Sequence, residues 1–217
     1  MSVKLVNHSQ SHSGESLQEM VAYCARVSNP ANQSNHQTSE NLLHYLIKHH
    51  HWSPFEMVSI CLEINTTRDI ARQILRHRSF SFQEFSQRYA EVNDSFVTRE
   101  VRMQDHKNRQ NSIETDDTDI QKAWDNKQND LANHAQETYQ WALQQGIAKE
   151  QARAVLPEGM TPSRLYMNGT LRSWIHYIQL RTGPETQKEH REIALACGKA
   201  IEPIFPLAEQ LYSKERI

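Results

Sequence analysis

The sequence predicts an α+β fold, a single domain in which a small, mostly antiparallel sheet is flanked by many helices. Alternating apolar runs are few and widely separated, and most other apolar residues recur at helical spacing. This mixture favours an α+β domain over a doubly wound sheet. The length of 217 residues lies within the usual range of one domain, so we expect residues 1–217 to form one unit.

The first part of the chain is predicted to contain two strands and three helices. The strands are expected at residues 3–6 and 57–64, the second because its apolar residues alternate in part. Residues 16–27 and 39–50 place apolar side chains at helical spacing, which predicts two helices. A weak capping-box pattern predicts that a third helix begins near Thr66.

The second part begins with a segment that we expect to bend at residues 79–82 and to resume as a helical turn, because Ser81 and Glu84 resemble a helix start. Residues 95–103 are predicted to form a strand. The polar residues 104–118 have no period, which predicts a mobile loop or an exposed insertion.

The remaining chain is predicted to be mostly helical. Apolar residues at helical spacing predict a long helix over residues 119–145, which ends near Gly146. One further strand is expected at residues 162–168.

Composition and charge argue against several classes of protein. The chain has 24 Lys and Arg against 26 Asp and Glu, so it lacks the basic excess of a general nucleic-acid binder. It has no apolar run of about 18 residues and no basic and apolar leader, so no membrane partner or export signal is predicted and a cytoplasmic location is expected. Cys24, Cys61 and Cys197 form no Cys-x-x-Cys pair, which predicts reduced, packed thiols.

The most informative stretch runs from Arg76 to Tyr89 and reads RHRSFSFQEFSQRY. In a nearly neutral chain, its three arginines form a local positive site suited to an anion. The planar guanidinium fork matches phosphate oxygens and stays charged at physiological pH. None of the six glycines forms a Gly-x-Gly-x-x-Gly or Walker loop, so the sequence contains no standard phosphate loop.

These residues also permit plainer interpretations. The stretch fits an exposed helix face, on which Glu84 and Arg88 would form a weak i,i+4 pair. Ser86 lacks a Gly-x-Ser-x-Gly elbow, so we expect a hydrogen-bond donor rather than a nucleophile. The histidines at residues 49–51 are adjacent and lack a His-Glu-x-x-His pattern, so no metal site is predicted.

The spacing of RHR, seven residues and then Ser86 resembles the signature of the flavin-dependent thymidylate synthases. Further segments are similar to family motifs in the same order, and together they cover residues 22–189. They are Ala25-Arg26-Val27-Ser28, His51-Trp52-Ser53-Pro54-Phe55-Glu56, Ala71-Arg72-Gln73, Arg153-Ala154-Val155-Leu156-Pro157, and Gly169-Thr170-Leu171-Arg172-Ser173-Trp174 with Leu180-Arg181. The chain departs from the family at Met57 and Glu185, where His is common, and at Thr170, where Asn is frequent.

The resemblance implies two sets of site residues. The substrate set, which would bind deoxyuridine monophosphate (dUMP), comprises Gln73, Arg76, Glu84, Phe85, Ser86, Gln87, Arg88, Arg153 and Arg181, with Phe85 and Gln87 acting mainly through their backbone. The flavin set comprises Ser28, Ser53, Arg76, His77, Arg78, Ser79, Glu84, Thr170, Arg172 and His176. Arg181 is the predicted catalytic residue, because a cation beside N3 or O4 of uracil stabilises the negative charge that makes C5 nucleophilic.

The resemblance also implies a reaction and an assembly. The reaction is the reductive methylation of dUMP to dTMP, with methylenetetrahydrofolate as the one-carbon donor, FAD as the bound redox cofactor and NADPH as the reductant. No cysteine nucleophile is needed. The assembly is a homotetramer with active sites shared between subunits, and no nucleic-acid partner is expected.

Two other functions fit the residues alone. One is a cofactor-free module that binds single-stranded RNA through the arginines and phenylalanines of the RHR stretch. The other is a flavin-free nucleotide hydrolase that uses Glu84 and His77 for acid–base catalysis. Both differ from the family function in that the purified protein would not be yellow.

Overall fold

The computed structural model describes residues 1–92 and 95–212 and confirms the α+β class. Its strands are β1 (Ser2–His8), β2 (Ser59–Thr67), β3 (Phe80–Glu84), β4 (Arg102–Gln104), β5 (Ser112–Glu114) and β6 (Pro162–Thr170). Its α-helices are α1 (Leu17–Ala25), α2 (Ser39–Lys48), α3 (Arg68–Ile74), α4 (Thr118–Gln144), α5 (Lys149–Ala152), α6 (Leu171–Arg181), α7 (Lys188–Ile201) and α8 (Glu209–Tyr212). None of these helices is both long and apolar enough to cross a membrane.

Most predicted elements are confirmed, with ends that shift by a few residues. The strands expected at residues 3–6, 57–64 and 162–168 correspond to β1, β2 and β6. The predicted helices correspond to α1, α2, α3 and α4, and Gly146, just beyond α4, adopts a positive φ of 76°. The four-stranded sheet has the order β1-β2-β6-β3.

The bend expected at residues 79–82 and the helix start expected at Ser81 are wrong, because Phe80–Glu84 forms strand β3. A single turn follows only after this strand, where the backbone N–H groups of Tyr89 and Ala90 both donate to the Ser86 carbonyl oxygen. Exposed residues alternate along β3 with buried or half-buried ones, beginning with the buried Phe80. This period of two belongs to a strand and outweighs the local capping signal of Ser81 and Glu84.

The strand expected at residues 95–103 is also wrong over most of its length. Residues 95–101 have no regular structure, and only β4 is a strand. Phe96 packs against a hydrophobic core while Val97 is exposed, so tertiary packing rather than strand pairing places this segment.

The polar segment 104–118 is an exposed insertion that contains a small hairpin. Strands β4 and β5 pair antiparallel, with Met103 opposite Ile113. The Asp105 carboxylate accepts hydrogen bonds from the backbone N–H groups of Lys107 and Asn108, at 2.8 and 3.1 Å, and so stabilises the turn between the strands. The mobility of this segment stays a prediction.

The chain divides into two compact units. The first unit contains Met1–Ile64, Leu75–Gln83 and the described residues from Tyr166 onward, and the second contains Asn65–Ile74 and Glu84–Leu165. The organisation as one domain stays a prediction.

The core of the first unit centres on Trp174, which is fully buried in α6. Its indole N–H donates to the carbonyl oxygen of Ile60 at 3.0 Å. Phe80 packs against the indole edge to face, with ring centroids 4.8 Å apart. Helix α6 therefore begins at a fixed position, where the Thr170 side chain accepts a hydrogen bond from the Ser173 N–H at 3.3 Å.

The core of the second unit packs on one face of α4. Its buried members are Val92, Tyr139, Ala142, Ala152 and Leu156, and Phe85, Phe96 and Leu143 pack against them. The backbone N–H of Val92 donates to the Tyr139 hydroxyl at 3.2 Å. This core fixes the residues that follow β3 and the segment around α5.

We expect Gly169→Ala to destabilise the protein, because a Cβ at residue 169 would overlap the ring of the buried Phe80. Such overpacking costs roughly 1–3 kcal/mol. Urea denaturation measures the change in the free energy of unfolding. Gly159→Ala is the matched control, since a Cβ there meets no atom within 4 Å. Equal stability of the two variants would contradict the packing argument.

Candidate active site

The Arg-His-Arg-Ser segment forms the turn that precedes β3. Arg76, Arg78 and Ser79 are exposed, whereas His77 is half-buried. The Ser79 carbonyl oxygen accepts a hydrogen bond from the Ser173 hydroxyl at 3.3 Å. The turn is thereby attached to the first turn of α6.

Arg181 is the last residue of α6 and binds His77 directly. Its Nε–H donates to Nε2 of His77 at 2.9 Å, so this imidazole is neutral and carries its proton on Nδ1. Burial, together with the charges of Arg181 and Arg76, lowers the pKa of His77 to about 4. Among the residues that the structure describes, Nη1 and Nη2 of Arg181 have no hydrogen-bond partner, so this edge of the guanidinium is available to a ligand.

Two buried aromatic residues pack against His77. The Tyr177 ring lies edge to face with the imidazole at a centroid distance of 4.9 Å. The Tyr177 hydroxyl lies 3.2 Å from Nε2 of His190, which is completely buried. Burial and the charge of Arg181 lower the pKa of His190 to about 3, and burial raises the pKa of Tyr177 well above its usual value. Both side chains are therefore uncharged at neutral pH, and Arg181 carries the charge of the cluster.

A second group of predicted flavin residues meets at the amino-terminal half of α6. Arg172 forms an ion pair with Glu56, which lies in the short 3-10 turn Ser53–Glu56. His176, one helical turn after Arg172, packs edge-on against Trp52 with ring centroids 4.6 Å apart. Burial and the charge of Arg172 lower the pKa of His176. The structure thus brings Ser53, Ser79, Thr170, Arg172 and His176 to one end of α6.

The Ala25-Arg26-Val27-Ser28 motif contains one structural residue. The Arg26 guanidinium is buried and donates to the Asn35 carbonyl oxygen and to the Thr38 hydroxyl, so it holds the loop between α1 and α2. Ser28 is exposed in the turn after α1, and its contact with a flavin stays a prediction. Met57 and Glu185, where the chain departs from the family pattern, are also exposed.

In the second unit, Glu84 is held by two polar neighbours at the end of β3. Its Oε1 accepts a hydrogen bond from the Ser163 hydroxyl at 2.7 Å and lies 3.5 Å from Nη1 of Arg68. The backbone N–H of Phe85 donates to the Arg164 carbonyl oxygen at 2.9 Å. The carboxylate therefore has a fixed orientation, next to the residues that follow it in the substrate set.

Residues that follow Glu84 in the sequence line a cavity of about 560 Å³, which we call the Arg88 pocket. It is lined by Ser86, Arg88, Tyr89, Ala148, Lys149 and Glu150. Two cations and two hydroxyl groups line one opening, which is a donor set that suits a phosphate group.

Gln87 lies between Ser86 and Arg88 in the sequence but, unlike them, it is buried and does not line the Arg88 pocket. Its side chain is only 3% exposed, and its Nε2 has no hydrogen-bond partner in the structure. Ser86 and Arg88, on either side, are exposed. The role of Gln87, mainly through its backbone, stays a prediction.

The rest of the substrate set is divided between the two units. Arg153 is half-buried and opens the 3-10 turn Arg153–Val155, whose neighbours Ala152 and Leu156 belong to the same core that Phe85 contacts. Gln73 is half-buried on α3 of the second unit, whereas Arg76 and Arg181 belong to the first unit.

Several residues that position the site are absent from the predicted sets. They are Trp52, Glu56, Arg68, Ser163, Ser173, Tyr177 and His190. Helical spacing signals one of them, because Tyr177 precedes Arg181 by four residues and shares its helix face. No spacing links Ser163 to Glu84, or His190 to His77, since these pairs meet only in the folded chain.

The three cysteines are free thiols. Cys61 and Cys197 are buried and Cys24 is partly buried, which confirms the prediction of packed thiols for the first two. Burial raises the pKa of Cys61 and of Cys197, so both stay protonated at neutral pH.

Among the described residues, the histidines at residues 49–51 lie in no metal site. His49 and His51 make ring contacts with Tyr45. Within residues 1–92 and 95–212, no group of three or more His, Cys, Asp or Glu side chains is placed to hold a metal ion.

The chain matches a family model and two close relatives over most of its length. The model described as "Thymidylate synthase complementing protein" matches residues 4–207. A probable flavin-dependent thymidylate synthase of Paramecium bursaria Chlorella virus 1 is 52% identical over 189 residues, which is 87% of each chain. The flavin-dependent thymidylate synthase of Synechocystis sp. is 52% identical over 187 residues, which is 86% of this chain and 85% of the relative.

A solved structure has a similar fold. The UMP/dUMP methylase PolB from Streptomyces cacaoi, bound with 5-Br dUMP, superposes with a TM-score of 0.81 at 29% identity. The superposition covers 97% of this chain and 93% of that chain.

We expect the protein to lose stability as the pH falls from 6.5 to 4, and His77→Gln to weaken this dependence. The pKa of His77 is about 4 in the folded chain and 6.5 when unperturbed, so the unfolded state alone binds a proton in this interval. Above pH 6.5 the residue contributes no pH dependence. Allowing for partial exposure, the variant should lose about 1–2 kcal/mol less between pH 7 and pH 4.

Urea unfolding at a series of pH values measures this difference. His12→Gln is the control, because His12 is exposed in the loop after β1. If wild type, His77→Gln and His12→Gln show the same pH slope, then His77 is not held neutral in the folded protein.

Proposed function

Because the chain belongs to the flavin-dependent thymidylate synthase family, we propose that it catalyses the reductive methylation of dUMP to dTMP. The one-carbon donor in this proposal is methylenetetrahydrofolate, the bound cofactor is FAD and the reductant is NADPH. The observation that carries the proposal is the pairing of Arg181 with a neutral His77, which leaves one edge of the guanidinium available.

Two observations support dUMP as the substrate. PolB, whose structure is similar, is a methylase of UMP and dUMP. In the present chain, the Arg88 pocket offers Ser86 and Arg88 to a phosphate group, and both belong to the substrate set. Arg153 follows in a turn anchored to the same core as Phe85 and supplies a further cation to this set.

Arg181 has the electrostatic role in the proposed reaction. C5 of uracil becomes nucleophilic when negative charge develops on the N3–O4 edge of the ring, and a preorganised guanidinium beside that edge lowers the energy of this charged form. The hydrogen bond to His77 fixes the Nε side of Arg181, so little reorganisation is needed when the charge develops. A protonated His77 could not accept this bond, which makes its neutral state part of the arrangement.

The residues of the first unit fit a flavin cofactor. Arg76, Arg78 and Arg172 supply cations suited to a diphosphate, and Ser53 and Thr170 supply hydroxyl groups. His176 presents an imidazole whose ring is held against Trp52. FAD, when bound, supplies the hydride-transfer chemistry, whereas the protein supplies binding and orientation.

A homotetramer in the cytoplasm is the proposed form of the protein. The exposed apolar side chains Ile120, Trp124 and Leu131 lie on one stripe of α4, and such a stripe supports contact between subunits. Sedimentation at several protein concentrations measures the assembly, and a monomer at all of them would contradict this proposal.

The absorbance spectrum of the purified protein tests the proposed function. We expect a flavin spectrum that bleaches with NADPH under anaerobic conditions, and formation of dTMP when dUMP and methylenetetrahydrofolate are added. A colourless protein that does not take up FAD would reject the proposal. That result would favour an RNA-binding module if affinity for single-stranded RNA fell with salt, or a hydrolase if dUMP released phosphate or free base.

We expect Arg181→Ala to lower kcat for dTMP formation by about 100- to 1000-fold, because it removes the stabilising charge at the uracil edge. The FAD content should stay unchanged. Arg191→Ala is the matched control, since Arg191 lies on α7 outside both residue sets. Cys24→Ala, Cys61→Ala and Cys197→Ala should each keep activity. Full activity of Arg181→Ala would exclude the assigned role.

A further inference from the structure

We infer that Lys149 is a second phosphate-binding cation of the substrate site and that Glu150 competes with the substrate phosphate for Arg88. Neither residue belongs to the substrate set predicted from the sequence. The inference rests on the proposed function, because it takes dUMP as the ligand of the Arg88 pocket.

The position of Lys149 and Glu150 is fixed by the core of the second unit. They are the first two residues of α5, whose last residue, Ala152, is 3% exposed in the core that also contains Tyr139 and Leu156. Both line the Arg88 pocket together with Ser86 and Arg88. The backbone that carries Lys149 therefore cannot move away without disturbing this core.

Each cation of the Arg88 pocket is paired with a carboxylate in the structure. Nη2 of Arg88 lies 3.5 Å from Oε2 of Glu150, and Nζ of Lys149 lies 3.6 Å from Oε1 of Glu91. The four side chains are between 38% and 67% exposed, and ion pairs this exposed contribute little to stability. Both cations can therefore exchange their carboxylate for a stronger anion at small cost.

A nucleoside monophosphate is such an anion. Its phosphate carries a charge between about −1.5 and −2 at pH 7, and it offers three acceptor oxygens. Arg88 neutralises one charge, and Lys149 is the other cation among the residues that line the pocket. Charge-assisted bonds to phosphate are shorter and stronger than an exposed ion pair at 3.5 Å. Glu150, left beside the bound phosphate, repels it and so weakens binding.

Substitutions that change only charge test these roles. Calorimetry with the full-length, FAD-loaded protein measures the Kd of dUMP at pH 7.5 and constant salt. We expect Lys149→Met to raise Kd about tenfold, because it removes a hydrogen bond between charged groups. We expect Glu150→Gln to lower Kd about threefold, because it removes an exposed competing charge.

Matched controls lie on α4, where Lys122 and Glu137 are exposed and line no part of the Arg88 pocket. Lys122→Met and Glu137→Gln should change Kd less than twofold. Deoxyuridine, which lacks the phosphate, should bind Lys149→Met and wild type equally. The effect of Lys149→Met on dUMP should also shrink at pH 5.5, where the phosphate loses most of its second charge.

The outcomes separate this inference from the proposed function. Wild-type protein that binds dUMP, with a Kd that Lys149→Met leaves unchanged, would overturn the role of Lys149 and leave the proposed function standing. Weaker binding in Glu150→Gln would overturn the role of Glu150. Wild-type protein that neither binds dUMP nor forms dTMP would overturn both the inference and the proposed function.

Discussion

The burial of Trp174 fixes helix α6, and the arrangement of the first unit depends on that helix. The indole donates to the carbonyl oxygen of Ile60 and packs against Phe80. These contacts fix the rotation of the helix about its axis and its position along that axis. Arg172 and His176 then lie one turn apart near its start, and Arg181 lies at its end. Charged side chains on a helix held in this way lose little freedom when they bind a ligand, which is the condition for effective electrostatic catalysis.

In the first unit, Arg181 is a charged side chain surrounded by polar side chains that are neutral. His77 and His190 are histidines that burial and the nearby guanidinium keep neutral, and Tyr177 is a phenol that burial keeps protonated. Because its neighbours are neutral, the positive charge of Arg181 can be matched by a negative group of a ligand. A second cation beside Arg181 would repel it and would destabilise the folded protein when no ligand is bound. The histidine of the RHR motif therefore serves as an acceptor that orients an arginine, which differs from an acid–base role.

The cations of the Arg88 pocket, in the second unit, form exposed ion pairs, whereas Arg181 in the first unit is held by a hydrogen bond to the half-buried His77. Arg88 and Lys149 are held by carboxylates on exposed side chains, while Glu84 is fixed by Ser163 and Arg68 in a partly buried position. In the proposed function, the Arg88 pocket admits and releases a phosphate, so its cations must be able to leave their carboxylates. Exposed pairs meet this need because water and salt screen them.

The sequence by itself determined the α+β class, most helices and strands, and the family, because hydrophobic period and motif spacing are local properties of the chain. It also predicted site roles for His77, Arg88 and Arg181, and these roles stay predictions. The prediction for Phe80–Glu84 was wrong, because this segment has both a capping signal and an alternating pattern. The segment forms a strand, which is stabilised by pairing in the sheet and by the packing of Phe80 against Trp174. Only the tertiary structure showed that Arg181 binds His77, that Ser163 orients Glu84, and that Lys149 and Glu150 line the pocket of Arg88. These pairs are distant in sequence, and no local pattern encodes a contact that exists only once the intervening chain has folded.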